Sequence, residues 1–182
     1  MQIAQSKTRE RFPLSRKKVL KKTLMGTVAW IILLLILGII FIFAFGSGTD
    51  IAGYMALAIA GLLALMFFIV KGVYLYLMWY FAVYFYDLTP DYIVIRKGPI
   101  TPKEITIPYE RVQDVYVDQD LLDRIMGLYD VHLSSATVSS GMEAHIDGVE
   151  VAAAHGLRDM LLQTVSERIS KRKVPVPPSA TP

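Results

Sequence analysis

Two stretches of this chain contain no charged residue and no polar face. The first, TLMGTVAWIILLLILGIIFIFAF, runs 23 residues from Thr23 to Phe45, and the second, IAGYMALAIAGLLALMFFIV, runs 20 from Ile51 to Val70. At about 1.5 Å per helical residue, each is long enough to cross a hydrocarbon core of about 30 Å. A helix buried in a soluble core would keep a polar side. The sequence therefore predicts a two-helix transmembrane hairpin over residues 23–79, with spans at about 23–45 and 51–76. A signal peptide is the alternative for the first stretch, since basic residues precede it. Its apolar run is too long for that, and a second span follows directly.

Charge predicts the orientation. Residues 1–22 hold Lys7, Arg9, Arg11, Arg16, Lys17, Lys18, Lys21 and Lys22 against Glu10 alone. The link between the spans, Gly46 to Asp50, has no Lys or Arg, and Lys71 follows the second span. Basic residues resist translocation, so both termini are expected in the cytoplasm, the basic arm 1–22 among them, with the short link outside. The plasma membrane is the expected location, and the bilayer itself the first partner. From Tyr86 to Ser170 the balance reverses, with seven basic residues against fourteen acidic. That surface is unsuited to nucleic acid, which is not expected as a partner. The chain has no cysteine, which excludes a disulfide framework or a thiolate metal site.

Behind the second span the apolar period changes from helical to two. Eight of the thirteen residues from Tyr74 to Tyr86 are aromatic, as expected of an interface belt grading into a first strand. The helix is expected to run to about Trp79. Thr89-Pro90-Asp91 and Gly98-Pro99 are turn signals that divide VYFYDL, YIVIRKG and EITIP into successive strands. Ile105 and Ile107 share one face, and Glu104 and Thr106 the other. Pro108 cannot donate to a ladder, so a strand ends or kinks there before RVQDVYVDQ resumes. Leu121, Leu122, Ile125 and Met126 stand at helical spacing, with Asp120 as N-cap and Gly127 as C-cap. LYDVHLSSATV and MEAHIDGV form a hairpin through Ser139 to Gly141. Leu157, Leu161, Val165 and Ile169 recur every four residues in a closing helix that packs one face on a sheet. The folded part spans 80–171, and the proline-rich residues 172–182 form a disordered tail.

The ordered blocks YDLTPDYIVIRKG, IPYERVQDV and LLDRIMGLYDV, at this spacing, resemble the bacterial pleckstrin-homology domain of the YdbS-like membrane proteins. The two preceding spans fit that family's architecture. The resemblance implies an α+β fold: the transmembrane helical hairpin, then a pleckstrin-homology-like bent antiparallel sheet or barrel capped by a C-terminal helix. SSATVSSGMEAHI departs from the glycine-rich relatives at the last hairpin.

No catalytic pattern stands out. His132 and His145 could face each other across a hairpin, but no HExxH or carboxylate–histidine spacing supports a metal. Ser134, Ser135, Ser139 and Ser140 lack a nucleophile-elbow context. No enzyme activity, metal or cofactor is expected. Lys17, Lys18, Lys21 and Lys22 of the arm, with Arg96, Lys97 and Lys103 around the Gly98-Pro99 turn, are candidate contacts for anionic lipid headgroups. Arg111, Gln113 and Asp114 are a candidate partner surface, or a structural Arg–Asp pair tying the strand entry to a neighbouring loop. The expected role is assembly or scaffolding at the membrane through a homo-oligomer or another pleckstrin-like membrane protein. Recognition of anionic headgroups by the Arg96–Lys103 loop and the arm is the alternative.

Overall fold

A computed structural model describes residues 6–45, 51–135 and 144–173. The link at 46–50, the turn expected at Ser139 to Gly141 and the tail beyond 173 lie outside the described residues. The chain divides into two compact units: Val19–Ala82, and Met1–Lys18 together with Val83–Pro182.

The first unit is a pair of helices, within α2 (Lys17–Phe45) and α3 (Ile51–Val83). Both are long and apolar enough to cross a membrane. They run antiparallel: a Cβ added at Gly38 would lie 3.5 Å from Leu62 Cδ1, and one at Gly26 would lie 3.8 Å from Val73 Cγ1. The hydroxyls of Thr23 and Thr27 donate to the carbonyls of Val19 and Thr23 one turn back, at 2.8 Å each. This satisfies two polar groups inside an apolar helix. α3 continues to Val83, past the end expected near Trp79. No glycine or proline follows Gly72 until Pro90, so nothing in the backbone chemistry stops the helix earlier.

The second unit contains two three-stranded antiparallel sheets, ordered β1-β2-β3 and β4-β5-β6. The strands are β1 (Phe85–Leu88), β2 (Tyr92–Lys97), β3 (Lys103–Pro108), β4 (Val112–Asp118), β5 (Leu128–Ser135) and β6 (Ala144–Glu150). Alternation sets their faces: Ile93, Ile95 and Ile107 are buried, and Ile93 pairs with Ile107 across the ladder. At Pro108 (φ −60°, ψ 140°) the chain leaves the first sheet and turns through a 3-10 turn, Tyr109–Arg111, into the second. β6 carries a bulge, where Asp147 and Gly148 together stand opposite Asp130 of β5. The bulge is why Ile146 and Val149, three residues apart, can both face the core.

Two helices complete the domain. α4 (Leu121–Met126) starts at Asp120, whose carboxylate accepts from the Asp123 amide, and ends at Gly127 with φ +67°. These are the expected caps. α5 (Val151–Lys173) buries Leu157 and Leu161 completely, which contributes roughly 1.5–3 kcal/mol for each side chain. Its apolar stripe fades toward the C-terminus, where Ile169 is exposed. The architecture is α+β, as the family resemblance implies.

The arm before the first span belongs to this domain. Ser6 caps the short helix α1 (Lys7–Arg11) and donates to the Tyr86 carbonyl. Asp87 accepts from Ser6 Oγ at 3.0 Å, Thr8 Oγ1 at 2.7 Å and the Thr8 amide at 3.3 Å. The Tyr86 hydroxyl donates to the Phe12 carbonyl. Leu14 bridges Val149, and the Ser15 amide donates to the Gly148 carbonyl at 2.7 Å. The described part of the basic arm, from Ser6 to Lys18, is folded against the domain. Its two ends cover the β1 edge and the β6 edge.

Candidate interaction surfaces

The arm ends in the most buried charge cluster among the described residues of the domain. Lys18 Nζ lies 2.9 Å from Asp123 Oδ2 and 2.6 Å from Asp130 Oδ2, and the Lys18 and Asp123 side chains are each 2% exposed. The Gly148 amide donates to Asp130 Oδ1 at 2.6 Å. Gly148 takes φ +68°, and a Cβ there would lie 2.5 Å from Lys18 Cβ, so only glycine lets the lysine stem pass. Burying Asp123 turns α4 over: Leu121 and Ile125 are 76% and 74% exposed, although their spacing reads as a core face.

Lys18 is therefore withdrawn from any headgroup, contrary to expectation. Lys17 is exposed, 3.8 Å from Glu150. Lys21 is buried, and Lys22 Nζ sits 5.4 Å from the Phe81 ring centre. The β2–β3 turn likewise fails to gather its cations. Arg96 lies over the Phe85 ring at 5.3 Å, whereas Lys97 contacts Asp147 at 3.4 Å and the Tyr84 ring at 5.2 Å. Lys103 is exposed. Gly98, at φ +97°, closes the turn against the Thr101 carbonyl, 2.7 Å from where a Cβ would be.

Arg111, Gln113 and Asp114 are all exposed. Arg111 ends the 3-10 turn, and the ladder of β4 with β5 slips between Val112 and Asp114, so Gln113 is the bulged residue. Among the described residues no ion pair joins Arg111 to Asp114. The structural anchor of this block is instead Tyr109, which the sequence reading passed over. It is fully buried, and its hydroxyl donates to the Thr89 carbonyl at 2.7 Å. Burial pushes its phenol up to about 12, with Arg168 opposing and Asp87 and Asp91 adding to the rise. The buried Tyr86 phenol is raised as well. The sign of Tyr109 was its place directly after Pro108, where a turn must be pinned to something.

On the outer face of the second sheet, Tyr116, His132 and His145 stack across three strands, with ring centres 4.9 Å and 5.3 Å apart. His132 and His145 are direct cross-strand partners. His132 Nε2 lies 3.1 Å from Asp118 Oδ1, and His145 Nε2 lies 3.2 Å from Asp147 Oδ1. Donor atoms of Asp118, Asp130 and His132 come within 4.8 Å of one another. Asp130, however, already holds the Lys18 ammonium and the Gly148 amide, so the cation next to it is a side chain.

Strand edges differ in their cover. The arm lies along β1 and β6, whereas β3 and β4 end their sheets.

A two-helix pair followed by two antiparallel sheets and a closing helix is the architecture of a membrane-linked pleckstrin-like domain. The chain belongs to the bacterial PH domain family, whose model it matches over residues 19–165. That range takes in both long helices and the sheets, while the arm from Ser6 to Lys18 precedes it. No curated protein and no solved structure matches the chain.

Proposed function

We propose that this chain is a non-catalytic protein of the plasma membrane. Its helices cross the bilayer as a hairpin and hold the domain at the cytoplasmic face, where it gathers a partner protein by strand addition. The observation that carries this reading is the distribution of edges: the arm occupies β1 and β6, and β3 and β4 are left as sheet ends. An uncovered edge offers a row of backbone donors and acceptors to an incoming strand. Arg111, Gln113 and Asp114 stand exposed at the start of β4 and supply polar selection. Just past its end, Leu121 and Ile125 offer an apolar anchor. The partner is a second copy of this chain or another membrane protein with the same kind of domain. No cofactor and no reaction enter the reading.

Orientation has its own support. Ser6 and Thr8, before the helical pair, hydrogen-bond to Tyr86 and Asp87, after it. This contact supports the reading that the two flanks share one side of the bilayer, and the basic residues of the arm favour the cytoplasmic side. Recognition of lipid by the Arg96–Lys103 loop has less support, because Arg96 and Lys97 are engaged within the domain.

The test is photo-crosslinking in native membranes, with a photoreactive residue at Gln113 and, as control, at exposed Arg158 on α5. A discrete adduct from Gln113 alone is expected. Equal, diffuse labelling from both positions would overturn strand addition at β4.

A further inference from the structure

β4 ends the second sheet, and its alternation divides it into two rows of side chains. Val115 is buried on the inner row. Asp114, Tyr116 and Asp118 make the outer row, and all three are exposed. Tyr116 is held in place by stacking on the His132 ring, 4.9 Å away between centres. Asp118 lies 3.1 Å from His132 Nε2 and still has a side chain 57% exposed. From Glu110 to Asp120 the exposed charges are Glu110, Asp114, Asp118 and Asp120 against Arg111 alone. This edge therefore carries a negative sign. The β3 edge carries none, because Lys103 stands next to Glu104.

The sign decides which strand can be added. Side chains directly opposite each other in an antiparallel pair have Cβ atoms about 4.5–5.5 Å apart, and like charges there oppose pairing. Two copies meeting at β4 about a twofold axis have few registers. Centred on Tyr116, Asp114 of each copy faces Asp118 of the other. Centred on Asp114, the two Asp114 carboxylates face each other. Centred on Val115 or Val117, the two Asp114 or the two Asp118 side chains become diagonal neighbours, about 7–8 Å apart. Each register sets acid against acid, which works against self-pairing. A strand with Lys or Arg at alternate positions meets the same row with opposite charge. Its intervening apolar residues then fall beside Val115 and Val117 on the inner row.

We propose that the β4 edge takes a basic extended segment of another membrane protein, with Lys or Arg alternating with apolar residues, and that it rejects a second copy of this chain. This assignment rests on strand addition at β4 and narrows its partner. Lys and Arg collect in the cytoplasmic segments that flank transmembrane spans, so a neighbouring membrane protein carries this chemistry close to the bilayer.

The experiment titrates the full chain, in a neutral detergent at low ionic strength, into fluorescent peptides blocked at both ends and reads their anisotropy. One peptide is four Lys-Val repeats and the other four Glu-Val repeats. Saturable binding of the Lys-Val peptide is expected, with the Glu-Val peptide bound about tenfold more weakly or worse. Asp114→Lys with Asp118→Lys should reverse that order. Asp114→Lys alone, which leaves Asp118 beside His132, should narrow it. Asp159→Lys with Glu167→Lys makes the same change in net charge on the exposed side of α5 and should keep the wild-type order. N-methylation of the Lys-Val backbone removes its strand donors and should abolish binding. Equal binding of both peptides, lost on N-methylation, would overturn the charge preference and leave strand addition standing. Binding that survives N-methylation, or no binding of either peptide, would overturn both. In native membranes, copies of the chain bearing two different epitope tags and a photoreactive residue at Gln113 should give adducts with one tag only. An adduct carrying both tags would overturn the rejection of a second copy.

Discussion

Lys18 illustrates how little a residue's type says about its role. In sequence it is one of eight cations ahead of an apolar span, where each exposed Lys or Arg beside an anionic leaflet contributes about 1 kcal/mol. In the fold it is buried between Asp123 and Asp130, partners 105 and 112 residues away, which no local pattern reveals. Lys18→Met should leave Asp123 buried without its cation and cost roughly 3–5 kcal/mol. Adding Asp123→Asn should restore part of the loss. Thermal unfolding of the full chain in detergent measures both, and a Lys18→Met variant as stable as the wild type would refute the cluster's role. Tyr109 makes a prediction in pH. Its phenol ionises near 10 when unfolded and near 12 when folded. Its contribution is complete below pH 10 and is lost as pH rises toward 12, because only the unfolded state releases the proton there. Stability of the wild type should thus fall relative to Tyr109→Phe across that window, and parallel curves would contradict the burial.

Elements were legible where their signals are local. The alternation of EITIP, the break at Pro108 and the Asp120 and Gly127 caps each depend on a few neighbouring residues, and each element stands where expected. Ile146 and Val149 could be placed in one strand from hydrophobicity, but the bulge that aligns them is a property of pairing. α4 stands as its spacing predicts, but which side it buries is set by the Asp123 ion cluster, which leaves Leu121 and Ile125 exposed. The arm was missed altogether, since a basic segment without alternation looks unstructured until its partners at Tyr86, Val149 and Gly156 are known. Its docking can be tested at the helix it packs on. Gly156→Ala would ordinarily stabilise a helix by about 1 kcal/mol. Here the new methyl meets the Phe12 ring, so the variant should unfold at a lower temperature, and Phe12→Leu should recover part of the loss. A stabilised Gly156→Ala variant would mean that the arm does not pack there.

For the whole molecule, the arm has a consequence that neither unit has by itself. The chain leaves the domain at Lys18, runs through two long apolar helices and re-enters the same domain at Val83. The domain is then complete only when both helices have been made. The absence of cysteine makes the topology directly measurable. Single cysteines at Lys7, Ser47 and Ser166 would be probed in intact cells with a membrane-impermeant thiol reagent. Ser47→Cys should react, whereas Lys7→Cys and Ser166→Cys should react only after lysis. Labelling that separates Lys7 from Ser166, or that groups Ser47 with them, would contradict a cytoplasmic domain closed across a membrane hairpin.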